Sequence, residues 1–287
     1  MWTKYDKYHQ KMKRLIAGKN FVGDKDFEEY KKYFKSRITK EEGFSLFQYS
    51  RFYKENETVK PLDLDNLYLS VNGKQNDIFE GIGDWSSINE LDYDQKKQAL
   101  KSIHDFYYMK CFSENYNNNL MWGHYADGHR GYCVEYDFAN GEADSWIWDM
   151  FPVIYSSKRI QVFDFESTAY ELREEIKEGY LEETKGLFLY KDSIWKYEKE
   201  WRYIVRKDLV DSASLVENRM FKIKAPRIKS IYLGAKIDDA CKPKMADAIK
   251  RYVANNGYNI DIYQMLYDEN TYVLYKHPIT DKKFING

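Results

Sequence analysis

The segment Trp195-Lys-Tyr-Glu198-Lys-Glu200-Trp201-Arg202 sets two carboxylates two residues apart between two indoles. If a strand begins by Tyr197, Glu198 and Glu200 project from one face, close enough for their charges to repel. Such a pair needs a cation or a shared proton between its members. The flanking tryptophans argue for a partly apolar setting, which raises a carboxylate's proton affinity and suits acid–base work. The competing reading is an exposed edge strand whose carboxylates meet Lys196, Lys199 or Arg202.

A second dense cluster is Met121-Trp122-Gly-His124-Tyr125-Ala-Asp-Gly128-His129-Arg130-Gly131. Its two histidines are five apart, on opposite faces of any helix, so local spacing does not make them joint metal ligands. One reading is a Trp/Tyr core plug followed by a glycine-rich turn. The other is a lining of His124, His129 and Arg130 for a phosphate-bearing ligand. A third cluster, Asn76-Asp77-Ile-Phe-Glu80, is either an Asx-type turn capping a helix or a polar turn at a pocket lip. Ile228–Gly234 is a strand ended by a turn glycine, and no chemistry attaches to it.

Several enzyme classes are disfavoured. There is no GxxxxGK[ST] loop, no GxGxxG, no serine nucleophile elbow, no HExxH and no two-Cys, two-His spacing. No metal site is expected. Three scattered cysteines (Cys111, Cys133, Cys241) cannot all pair, which argues against a disulfide framework. No apolar run approaches the roughly 18 residues of a membrane span, and Met1–Leu15 carries no apolar signal core. A cytoplasmic location without membrane attachment is therefore expected. The 45 basic and 46 acidic residues balance, so bulk charge does not point to nucleic acid. Aromatic residues reach 17%, including 27 tyrosines, which points to rings buried in sheets or lining a pocket.

The elements that must position these residues follow from periodicity. Residues 1–43, with Phe27, Tyr30, Phe34 and Ile38 at helical spacing, read as an N-terminal helical extension that could dock a partner. Residues 44–287 read as an α+β core. Strands are expected at Leu46–Tyr49, Leu67–Ser70, Gly131–Phe138, Val153–Tyr155, Trp201–Arg206, Phe221–Ala225, 228–233 and twice within 259–276. Helices are expected over 92–110, from Asn118 or Asn119 to Tyr125, from the capping box Thr168–Glu171 to Tyr180, and over 238–256 with Gly257 as stop. The sum is a mixed, largely antiparallel sheet of short strands with flanking helices.

Taken together, the segments resemble a bacterial and phage family known as domain of unknown function 2971. Its pattern has an opening leucine-aromatic-Lys-Tyr-Arg strand, a "lyfS" strand, "FNDPFE", "MWghYAdgHrGvci", "WxyExEWR" and an "iylG" strand. Here these correspond to Leu46–Arg51, Leu67–Ser70, Gln75–Glu80, Met121–Val134, Trp195–Arg202 and Ile231–Gly234, in the same order. The opening strand departs by reading Gln-Tyr-Ser-Arg, and Gln75 and Ile78 replace the Phe and Pro of the third motif.

The layout is in turn similar to that of ADP-ribosyltransferases, and that similarity implies an ADP-ribosyltransferase-like fold. It also implies NAD as substrate and a role in bacterial antiviral defence or as a toxin. On that resemblance Glu200 would stabilise the ribosyl cation, and Glu198 would orient or deprotonate a macromolecular acceptor. Tyr49, Arg51 and Ser70 would hold the dinucleotide, with Trp122 or Tyr125 stacking on a ring. His124, His129 and Arg130 would meet the pyrophosphate or the acceptor. The alternative is a non-catalytic module that senses a nucleotide or a nucleic-acid end, and a metal-free hydrolase using the Glu pair is a third reading.

Overall fold

The structure is a computed structural model. It describes residues 45–52, 62–71, 77, 79–84, 86, 92–138, 149–159, 187–207, 215–216 and 220–280. The expected N-terminal helices and the helix from Thr168 lie outside the described residues.

The chain opens with β1 (Ser45–Ser50) and β2 (Asn66–Val71), followed by helix α1 (Tyr93–Phe106) and β3 (Tyr107–Ser113). Asp92 and Gln95 close a reciprocal capping box at the start of α1, each bond 2.9 Å. The sequence expectation carried this helix to residue 110, but it stops at Phe106. From Tyr107 onward every residue pairs with β8, and this tertiary ladder overrides the helical spacing.

Helix α2 (Asn119–Tyr125) is capped by the Asn118 side chain, which accepts from Leu120 N and Met121 N. Then come β4 (Tyr132–Asp137), β5 (Met150–Pro152), β6 (Ile154–Ser156) and β7 (Tyr190–Asp192). The strand expected at Val153–Tyr155 is β6, displaced by one residue; β5 is a further short strand before it, and between them Val153 N–H bonds Glu200 O at 2.9 Å. The remainder is β8 (Glu200–Arg206), β9 (Leu215–Val216), β10 (Met220–Lys224), β11 (Arg227–Leu233), α3 (Cys241–Asn256), β12 (Asp261–Tyr267) and β13 (Leu274–Pro278). Gly257 (φ 72°) ends α3 in the left-handed region, and its N–H bonds Val253 O at 2.8 Å.

Among the described residues, one mixed sheet runs β13-β12-β11-β4-β1-β3-β2-β10-β9, with β8 pairing β3 and β5. Every pair in it is antiparallel except β11 with β12. The α+β class and the largely antiparallel sheet expected from the sequence are therefore present. On one face, Met245, Ala248, Ile249 and Tyr252 of α3 pack against Val134, Tyr136, Ile231 and Leu233. On the other, Trp122 and Met121 of α2 pack against Phe47, Tyr49, Cys133 and Tyr232. The alternation of β4 divides between these two layers as its period of two demands.

The sheet forks at β3. Over its whole length this strand pairs with β8 on one edge. The other edge is shared: β1 meets it at Ser113, and β2 meets it at Met109 and Tyr108. No strand residue lies opposite Lys110–Phe112 on that edge among the described residues, and the candidate site occupies this gap.

Candidate functional site

A cavity of about 320 Å³ opens in the fork. Phe47, Gln48 and Tyr49 come from β1, Tyr68 and Ser70 from β2, and Met109 to Ser113 from β3. Met121 and Tyr125 from α2 close one side, and Lys191, Glu198, Glu200, Glu80 and Asp77 supply charge. That volume is at the lower end of the range for small-molecule pockets.

The two carboxylates do not sit on one strand. Ser193–Glu198 is a 3₁₀ helix, Lys199 follows in the left-handed region (φ 44°, ψ 54°), and only Glu200 opens β8. The expectation of a strand from Tyr197 is corrected here: a tight turn, not a period of two, brings the side chains together. Asp192 caps this 3₁₀ segment by accepting from Ile194 N at 2.9 Å. Ser113 Oγ donates to Glu198 O at 2.7 Å, and Asn118 Nδ2 donates to Tyr197 O at 2.8 Å. Three separate elements thus hold the turn in place.

Around it lies a buried ion network. Lys191 Nζ donates to Glu198 Oε2 at 2.5 Å and to Glu200 Oε2 at 3.0 Å. Arg202 grips Glu200 with Nε on Oε1 at 2.8 Å and a terminal nitrogen on Oε2 at 2.9 Å. Its guanidinium also contacts Glu80 and the Phe188 carbonyl. Tyr125 OH donates to Glu198 Oε1 at 2.6 Å. Arg202 is fully buried and the three glutamates are nearly so, which makes the pairing obligatory rather than decorative. Exposed edge carboxylates are ruled out. The Glu200 carboxylate instead neutralises two buried cations, and one of them, Arg202, is a partner that the competing reading named.

Three carboxylates face two cations in this network, and their proton affinities diverge. Burial works against the charged form of Glu200, yet Arg202 and Lys191 overcome it and hold the group down at about 2. For Glu198, burial and the Glu200 charge win over Lys191 and Tyr125, so its pKa is raised. Burial likewise lifts Glu80 to about 7 against the Arg202 charge. One member is thus held in its charged form while the proton affinity of the other two is raised, the kind of divergence that acid–base sites use.

The Met121–Gly131 cluster is mainly a platform. Trp122 is fully buried, donates Nε1–H to Tyr116 O at 2.7 Å and meets the Tyr49 ring edge-on at 5.2 Å. Asp127, Gly128 and His129 all take positive φ (49°, 59° and 70°), extending the left-handed turn expected at Gly128 alone. The chain then docks on the β11 end: Gly234 N–H bonds Gly131 O at 2.9 Å, and Lys236 N–H bonds His129 O at 2.9 Å. A Cβ at Gly131 would stand 2.1 Å from Ser50 O, and one at Gly234 2.1 Å from His129 O. Both positions therefore exclude side chains.

Of the residues named from sequence, Tyr49, Ser70, Tyr125, Glu198 and Glu200 converge on the cavity. Arg51, just past β1, is exposed and does not line it. His124 is exposed on α2 and Trp122 lies beneath the platform, so neither lines the cavity. His129 stacks on Trp122 at 6.4 Å, with burial lowering its pKa, and Arg130 is paired with Asp127 at 3.1 Å. Neither lines the cavity. Asp77 does close an Asx turn, its carboxylate accepting from Phe79 N at 2.9 Å. Glu80, at the end of that motif, carried no role in the sequence reading although its place in a dense polar cluster was a usable signal. Lys191 gave none: a lone lysine seven residues before Glu198 has no distinguishing neighbour.

Among the described residues no helix is long and apolar enough to cross a membrane. No curated protein and no solved structure matches the chain. Residues 121–203 match a family model described as protein of unknown function (DUF2971). That stretch contains the Met121–Gly131 platform, Lys191 and both carboxylates, so the matched part of the chain carries one wall of the cavity and the strand beside it.

Proposed function

We propose that the cavity is the active site of an ADP-ribosyltransferase-like enzyme that cleaves NAD and transfers ADP-ribose to a macromolecular acceptor. The observation that carries this reading is the carboxylate pair, one member held ionised and the other raised in proton affinity, bridged by Lys191 at the cavity wall. In the reaction the bond between nicotinamide and ribose C1′ breaks, and its electron pair leaves on neutral nicotinamide. The ribosyl cation that develops is stabilised by the Glu200 charge. The acceptor's oxygen or nitrogen then bonds to C1′ while Glu198 takes its proton.

The test is nicotinamide release from NAD by the purified protein, with Glu198→Gln beside the wild type. The expectation is turnover by the wild type and a loss of about 10²-fold in acceptor modification by the variant. No nicotinamide release under any acceptor condition overturns the enzyme reading.

One observation favours a second reading, the nucleotide-binding module without chemistry. Both Glu200 oxygens are clasped by Arg202, as in a rigid structural pair. Calorimetric binding of NAD with no release of nicotinamide would select it.

A further inference from the structure

On the face of the sheet that carries α2, a row of side chains runs inward from β13. Lys276 is opposite Met265 of β12, two residues from Tyr263; Tyr263 is opposite Tyr232 of β11, and Tyr232 is opposite Cys133 of β4. Residues opposite one another, or two apart on one strand, share a face, so Lys276, Tyr263 and Tyr232 stand with Cys133 on the α2 side. Tyr116, from the connection between β3 and α2, joins them there. Its ring stacks on Tyr232 at 4.5 Å, and Tyr232 stacks on Tyr263 at 5.2 Å. The Lys276 ammonium lies 4.2 Å from the centre of the Tyr263 ring, 5.3 Å from Tyr116 and 5.5 Å from Tyr232. All three distances are within cation–π reach. Among the described residues no carboxylate pairs with this ammonium. Tyr232 is buried and its hydroxyl donates to Glu135 Oε2 at 2.7 Å, which fixes the middle ring. Tyr116 and Tyr263 are half-buried and Lys276 is exposed, so the three rings open to solvent where the ammonium sits. A lysine ammonium is strongly hydrated and carries three N–H donors, for which ring faces supply no oxygen acceptor. A quaternary ammonium has no N–H to satisfy, so the same arrangement suits it better.

We propose that Tyr116, Tyr232 and Tyr263 form a binding site for a quaternary ammonium group, and that Lys276 occupies it in the free protein and gives way to the ligand. Lys276 belongs to β13, the outermost strand on that side of the sheet among the described residues, and its exposed side chain leaves the rings by rotation of its own stem. Phe47, which lines the cavity, is 5.6 Å from the Tyr116 ring, so the site adjoins the cavity. The inference does not rest on the reaction proposed there and stands or falls without it.

The experiment measures binding of choline, of acetylated trimethyl-lysine amide and of the neutral tert-butyl isostere of choline by calorimetry. The proteins are wild type, Lys276→Gln, Tyr263→Phe and Tyr263→Leu, each also melted thermally. Both ammonium compounds should bind Lys276→Gln roughly tenfold more tightly than wild type, because the internal competitor is gone. Tyr263→Phe, which keeps a ring face, should bind as wild type does, and Tyr263→Leu should lose roughly tenfold. The neutral isostere should bind at least about tenfold more weakly than choline. Whichever ammonium compound binds more tightly names the source, a modified protein side chain or a choline compound, and either ranking upholds the site. Absence of ammonium binding to Lys276→Gln overturns the proposal. So does equal binding of the neutral isostere, unchanged binding by Tyr263→Leu, or weaker binding by Lys276→Gln, which would make Lys276 part of the site's structure rather than its occupant. Should Tyr263→Leu melt below the assay temperature, Lys276→Gln and the isostere comparison decide the matter alone.

Discussion

The hydroxyl of Tyr125 donates a 2.6 Å hydrogen bond to Glu198 Oε1, a residue 73 positions further along the chain. This bond ties α2 to the 3₁₀ turn that presents the carboxylate pair, so the platform helix and the acidic turn are one unit. The same bond lowers the proton affinity of Glu198, although burial outweighs it. Tyr125→Phe should raise the Glu198 pKa further and cost about 1–3 kcal/mol of stability, the range for a hydrogen bond to a charged group. Urea unfolding measures the second effect; an upward shift in the pH profile of NAD cleavage measures the first.

Arg202 is fully buried and serves both Glu200 and Glu80. Arg202→Met would leave two buried carboxylates without their main cation, and the expected cost is about 3–5 kcal/mol. Glu200→Gln should be costly for the converse reason, since it strips Arg202 and Lys191 of their shared partner. Lower activity in Glu200→Gln therefore speaks about chemistry only when thermal melting shows the variant folded.

The network also sets the pH response. Glu200 is held at about 2, below its ordinary value, so its contribution is present above that value and disappears as the pH falls towards about 2. Glu80 is raised to about 7, so its contribution is full in acid and is lost as the pH rises through about 7. Raised Glu198 acts in the same sense as Glu80. Stability should peak in mildly acid solution and decline towards neutrality. Glu80→Gln, which mimics the protonated acid, should flatten that decline in urea midpoints taken at about pH 5 and about pH 8. An unchanged decline would locate the titrating group elsewhere.

Gly131 stands where any Cβ would strike Ser50 O and the Ala126 backbone. Both obstacles are main chain and cannot swing aside. Gly131→Ala should cost about 1–3 kcal/mol or more and weaken the seating of the platform loop on Gly234. A melting temperature equal to wild type would show that β1 and the loop can separate without penalty.

Local pattern determined much of this protein. The alternation in β1, β2, β4, β8, β10 and β11 and the stop at Gly257 were all legible, because each is decided by side-chain periodicity or by one residue's backbone freedom. The closeness of Glu198 and Glu200 was legible too, though not its cause, since a 3₁₀ segment and a left-handed Lys199 leave no period in the sequence. What tertiary structure alone decided was which charges meet. Lys191 reaches the pair because β7 runs beside β6, and Arg202 grips Glu200 because both leave β8 towards the β7 side. His124 and Arg130 sit on the outer surface of the platform, although their spacing to Tyr125 gave no hint of that. The cavity exists because β1 and β2 take successive stretches of one edge of β3, a matter of register between strands distant in sequence. Pairing of that kind is selected by the packing of the whole sheet, which no local window of residues contains.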